Sequence, residues 1–298
     1  MSPKQIWRVL KESFGEWNRD NASRLAAALA YYTIFSIAPL LILVIAIAGL
    51  FFDATSVREQ LMGQIQALVG TDGADFLRSV LDNANQPGEQ SGWVASAISV
   101  GLLILGATGV LTQLQTALNV VWNVKAKPEL GFWGVLRKRA LSFGMLLGIG
   151  FVLLVSLMLS AIVAGFSSYL NNLAPGLDAA GQLLSFLVSF GVTTFVFALI
   201  YKFVPVVNIS LGDVWFGGIV TALLFSLGKT LIGLYLGNNS FGSTYGAAGS
   251  VVILLVWVFY SAQILFFGAE LTQVYARRYG SRITPNEYAV KEYSSSQK

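Results

Sequence analysis

Glu270, Lys229, Gln115, Asn119 and Gln263 stand inside long apolar runs of this 298-residue chain, and Arg24 opens another. A charge or an amide in hydrocarbon is costly, so such groups face protein or a water-filled space. The chemistry open to them is narrow. Glu270 can carry a proton, bind a cation, or pair with Arg24 or an arginine of the tail; the ion pair is the expected role. Lys229, about two-thirds of the way across its run, either snorkels to the headgroups on its long stem or offers a cation to an anionic solute. The amides either hold a polar solute or join helices to one another. There is no His and no Cys, so the commonest general base, the commonest transition-metal ligand and all thiolate sites are missing. No catalytic residue, metal site or cofactor is expected, and "GNNSFGST" lacks the lysine of a phosphate loop.

The elements that carry these residues follow from composition. The chain is 55% hydrophobic and only 11% charged, too little charge to cover a soluble domain of this size. Six runs are long enough to cross a hydrocarbon core of about 30 Å: near Ala26–Phe52, Trp93–Val121, Leu141–Gly165, Leu183–Phe203, Val214–Leu236 and Ala247–Val274. None alternates polar and apolar residues as a barrel strand would. The predicted fold is an all-α integral membrane protein with six transmembrane helices. The first run starts late and is too long for a signal h-region, so it is expected to remain in the mature protein.

Basic residues orient the bundle. Of the 19 Lys and Arg, all but Arg58, Arg78 and Lys229 fall in the N-terminal arm, the connection after Trp122, the connection at Lys202, or the tail. Both termini are therefore expected in the cytoplasm, their basic face beside anionic headgroups. Residues 1–20 place Ile6, Leu10, Phe14 and Trp17 on one stripe of an amphipathic interfacial helix. Residues 21–279 form the transmembrane domain, and 280–298 a cytoplasmic tail expected to be disordered. The acidic segment 53–91, on the extracytoplasmic side between spans one and two, reads as two short amphipathic helices ended by "NQPGEQSG".

At about 100° per residue the polar side chains fall on faces. Gly101, Thr108, Thr112, Gln115 and Asn119 share one on the second span; Tyr260, Gln263 and Glu270 share one on the sixth. Thr194 and Tyr201 stack on the fourth. On the first, Tyr32, Ser36 and Pro39 line up, with Arg24 and Tyr31 one face over. Two readings stay open: interhelical hydrogen bonds that glue the bundle, or a polar cavity open toward the cytoplasm, the favoured one. Its lining would be Arg24, Tyr31, Tyr32, Ser36, Thr112, Gln115, Asn119, Tyr201, Lys229, Tyr260, Gln263 and Glu270. Pro39 frees a backbone carbonyl one turn earlier, and Gly246 and Gly249 permit irregular backbone; these three are candidate hinges.

The blocks "RLAAALAYYTIFSIAPLL", "GATGVLTQLQTALNVVWNV" and "YGAAGSVVILLVWVFYSAQILFFGAEL" resemble the most characteristic segments of the YihY/BrkB family, which also carries the old label "ribonuclease BN-like". The likeness runs from about Trp17 to Tyr279. It implies a bacterial inner-membrane protein with six spans, and supports transport of lipid-like cargo or ions without choosing among them.

Hydrolysis of RNA needs a His pair, a carboxylate-bound metal cluster or equivalent acid–base groups. The cytoplasmic carboxylates are scattered and His is absent, so a ribonuclease is rejected and no nucleic-acid partner is expected. The expected function is a transporter or flippase for a small or amphiphilic, lipid-like solute. The alternatives are a cation/proton antiporter using Glu270 and a non-transporting scaffold for envelope assembly. Membrane lipids and an unknown solute are the expected partners; self-association into a homo-oligomer stays open.

Overall fold

The computed structural model describes residues 2–50, 52–84, 108–127, 178–238, 248–281, 283–286 and 289–291. Helix α1 (Pro3–Arg19) starts at a capping box in which the Ser2 amide donates to Gln5 Oε1 at 2.7 Å, with Pro3 in the first turn. The missing N–H of proline costs nothing there. Asn21, in the left-handed region at φ 52, breaks the helix, and α2 (Ala22–Ala48) leaves in a new direction with Pro39 inside it. Helix α3 (Ala54–Ala84) follows, then α4 (residues 108–121), β1 (Val124–Ala126), α5 (Asp178–Phe203), β2 (Val207–Asn208), α6 (Leu211–Asn238), α7 (Gly249–Arg278), β3 (Thr284–Pro285) and β4 (Ala289–Lys291).

Among the described residues, four helices are long and apolar enough to cross a membrane: α2, α5, α6 and α7. The expected span near Leu141–Gly165, and most of the apolar start of the one near Trp93–Val121, lie outside the described residues. Helix α7 is the hub, packing against α1, α2, α3 and α6, while α5 lies along α6. Small residues set the closeness of these contacts. A Cβ on Gly217 would fall 1.8 Å from Thr272 Oγ1, and one on Gly268 would fall 2.0 Å from Thr221 Oγ1. Close backbone approach of this kind replaces the hydrophobic drive that is missing in lipid. The α4 stretch meets α2 where Gly109 faces Ser36 and Tyr32, and Leu111 packs on Leu40 and Leu43.

The two helices expected between spans one and two are present as the halves of α3. Gly70, at φ 81, breaks the run, and an ion pair of 2.5 Å joins Arg58 to Asp82. A straight helix would hold those residues about 36 Å apart, so α3 is a hairpin. It covers the far end of α2 and α7 through Val69, Leu77 and Leu254.

The tail departs from expectation. Strand β3 pairs antiparallel with β2, and β4 with β1. Asp213, in the first turn of α6, accepts hydrogen bonds from the Ser281 amide at 3.0 Å and its hydroxyl at 2.7 Å. Disorder was expected from a polar composition. Donors and acceptors left free by the connections after α4 and α5 instead give the tail partners.

Candidate functional site

Gln263, Glu270 and Arg277 are spaced seven apart on α7, so they return to one face within about 40°. That face meets the break between α1 and α2. Toward the middle of α7, Gln263 donates to Ser23 Oγ at 3.1 Å. At the other end, Arg277 donates to Glu16 at 3.2 Å and also pairs with Glu12. Arg278 reaches Glu12 at 2.6 Å, and Arg19 closes on the second oxygen of Glu16 at 2.6 Å. Burial pushes the Glu12 carboxyl up, but the hydrogen bonds and charges of Arg278 and Arg277 outweigh it and hold it below the usual carboxylate range.

Glu270 sits between these contacts. It is 0% exposed; no arginine, amide or hydroxyl among the described residues donates to its oxygens, and the side chain it meets is the carboxyl of Asp20. The charged groups that face it are Asp20 and Glu16, with Arg277 farther along its own helix. The expected ion pair with Arg24 or a tail arginine is therefore not formed. The arginines bind Glu12 and Glu16 instead; Glu12 is partly exposed, where pairing costs less desolvation, and Arg24 is exposed. Leaving a carboxylate buried without a donor costs several kcal/mol, so this position is suited to exchanging a proton or a small cation. Among the described residues no three acidic side chains come together as a metal site.

Several of the expected cavity-lining residues are bound to protein instead. Gln115 donates to the Val204 carbonyl at 2.9 Å, and Asn119 accepts from the Val206 amide at 3.0 Å. Both serve the turn around Pro205 that follows the end of α5 at Phe203, whose backbone groups have no helical partner. Tyr201 is fully buried; its hydroxyl donates to the Leu265 carbonyl at 2.8 Å and lies 2.9 Å from Thr221 Oγ1. These three join helices, as the alternative reading of the polar faces had it. Ser36 is buried against α4, while Tyr31, Tyr32, Thr112 and Lys229 are exposed. The Thr112 hydroxyl is turned back to its own helix, at the Thr108 carbonyl. Lys229 is exposed on α6, about 160° round the helix from the exposed Leu227 and Leu231. Tyr260 is half-buried against Gly228, Pro39 is half-buried within α2, and Gly249 is buried at the start of α7. Gly246 and Gly101 lie outside the described residues.

Reading the spans one at a time misses Glu12, Glu16 and Asp20. Their spacing of four on an amphipathic helix was the available signal, because it puts three carboxylates on one face.

The chain matches the family model described as Virulence factor BrkB over residues 13–292. It is 30% identical to a UPF0761 membrane protein of Azotobacter vinelandii, across 89% of this chain and 62% of that relative. It is 29% identical to one of Teredinibacter turnerae, across 92% and 62%, and 27% identical to one of Alteromonas mediterranea, across 88% and 87%. The chain thus spans about three-fifths of the length of the first two relatives. No solved structure matches it. A family match across nearly the whole chain agrees with the four apolar helices, and the chain belongs to the BrkB family of membrane proteins.

Proposed function

We propose that the protein is a transporter of the bacterial inner membrane that moves a small or amphiphilic solute and couples its movement to a proton at Glu270. It has six spans and its basic end faces the cytoplasm; it is not an enzyme. One observation carries this reading: a fully buried carboxylate on the central helix, faced by the carboxyls of Asp20 and Glu16 and, among the described residues, by no hydrogen-bond donor from an arginine, amide or hydroxyl. Intramembrane carboxylates of this kind serve proton relays and ion pathways. The break at Asn21, next to Asp20, places the site where α1 and α2 part.

Reconstitution tests it. Proteoliposomes are loaded with a pH dye, given a sodium or potassium gradient, and assayed in parallel for scrambling of fluorescent phosphatidylglycerol. The wild type is expected to move protons or lipid faster than empty vesicles, and Glu270→Gln to lower that rate by about tenfold or more. A rate unaffected by Glu270→Gln removes the coupling role. If neither lipid nor ions move, the second reading stands: a scaffold, favoured by the use of Gln115, Asn119 and Tyr201 in joining helices.

A further inference from the structure

Helix α1 has three faces. Val9, Ser13 and Glu16 are buried, with Val9 packed on Leu271 and Val274 of α7. On a second arc Ile6, Trp7, Leu10 and Phe14 are exposed, Trp7 at 70% and Phe14 at 61%. A third arc, next to Trp7, carries the exposed Lys4, Arg8 and Lys11. A soluble helix turns its largest apolar side chains inward. This one makes its protein contact through Val9, Ser13, Trp17 and ion pairs, and leaves Trp7 and Phe14 outside.

The contacts fix the depth at which α1 lies. Val9 meets the last apolar turns of α7, and Glu12 and Glu16 meet Arg277 and Arg278, which end that span. Two residues beyond α1, α2 begins as a membrane span. The helix is thus held at the boundary between hydrocarbon and water, where an apolar arc beside basic residues is the pattern of an interfacial helix. Charge selects the occupant. Glu12 and Glu16 are taken up by arginines on the protein side, so the outward charge of the helix is positive.

We propose that the outward face of α1 is a docking surface for anionic phospholipid headgroups, with Ile6, Trp7, Leu10 and Phe14 entering the leaflet and Lys4, Arg8 and Lys11 holding phosphate groups. This docking does not depend on the transport reading.

Because the chain has no native Cys, single nitroxide labels can be placed in the full-length protein by Trp7→Cys, Phe14→Cys and Arg8→Cys. Each is measured in nanodiscs of phosphatidylcholine with and without phosphatidylglycerol. Positions 7 and 14 are expected to collide with oxygen in preference to a nickel chelate, with nickel collisions about threefold below those at position 8. Phosphatidylglycerol should lower them further, and the combined K4Q, R8Q and K11Q variant should abolish that lipid dependence. Equal nickel access at positions 7, 8 and 14 overturns the proposal. So does protection that phosphatidylglycerol leaves unchanged, or label–label broadening at position 7, which would assign the face to a second copy of the chain.

Discussion

At the scale of single residues, the bundle shows how the same polar side chain serves two ends. Tyr201 stood out in the sequence as polar on an apolar helix, but its partner is the backbone carbonyl of Leu265, 64 residues away in sequence. Sequence patterning shows side-chain types and cannot show which carbonyls a neighbouring helix presents. Gln115 and Asn119 were indistinguishable from solute ligands for the same reason, since both serve the backbone of a turn on another helix. Glycine proves as informative as the polar groups. On Gly268 a Cβ would overlap Thr221 Oγ1 and come within 2.6 Å of the Tyr201 hydroxyl. Gly268→Ala is therefore expected to lower stability by about 1–3 kcal/mol, as overpacking does, seen as a fall in the thermal midpoint in detergent. An unchanged midpoint would mean that α6 and α7 are not packed this closely. Tyr201→Phe separates the hydrogen bond from the packing. It should cost about 0.5–1.5 kcal/mol for the lost hydrogen bond, less than the glycine change.

At the scale of elements, the long helices were legible because length and apolar content alone specify them. The amphipathic start was legible from its period, and the pair of helices around Gly70 from theirs. What escaped was the docking of α1 on α7, because it rests on ion pairs between residues more than 250 positions apart. This docking makes a pH prediction. In the folded protein the arginines hold the pKa of Glu12 below its ordinary value of 4.5. Its contribution is therefore fully present above that value and is lost as pH falls through the depressed one. The pairs are partly exposed, so their worth is about 0.5–1 kcal/mol. Wild-type stability should fall as pH is lowered from about 4.5, and Glu12→Gln should start lower and show a shallower fall. Parallel curves for the two proteins would show that Glu12 does not hold α1. High salt should weaken the docking in the same direction.

At the scale of the whole molecule, contacts far apart in sequence gather at one end: the α1–α2 break, the turn after α5, the start of α6, the end of α7 and the tail. This is also the end that carries Lys125, Lys127, Lys202, Arg277 and Arg278. The tail was the least legible part. Strands of two and three residues lie below any pattern a period can reveal, and residues 284–291 look like polar linker until β1 and β2 are placed beside them. Yet the tail ties two connections together. Strand β4 runs along β1 after α4, β3 runs along β2 after α5, and the Asn286 amide donates to the Val206 carbonyl. Asp213 anchors the start of the strap with two hydrogen bonds to Ser281, and the Asp213 carboxylate fills the space where Gly280 would carry a Cβ. Hydrogen bonds to a charged group are the stronger kind, so Asp213→Asn should cost about 1–3 kcal/mol. Removing residues 281–298 should cost at least as much, since it removes the same bonds and both strand pairs. Removing only 292–298 should leave the thermal midpoint where it was. If the longer deletion melts with the wild type, the tail rests on the bundle without holding it, and the connection after α5 keeps its shape through Gln115, Asn119 and Lys202.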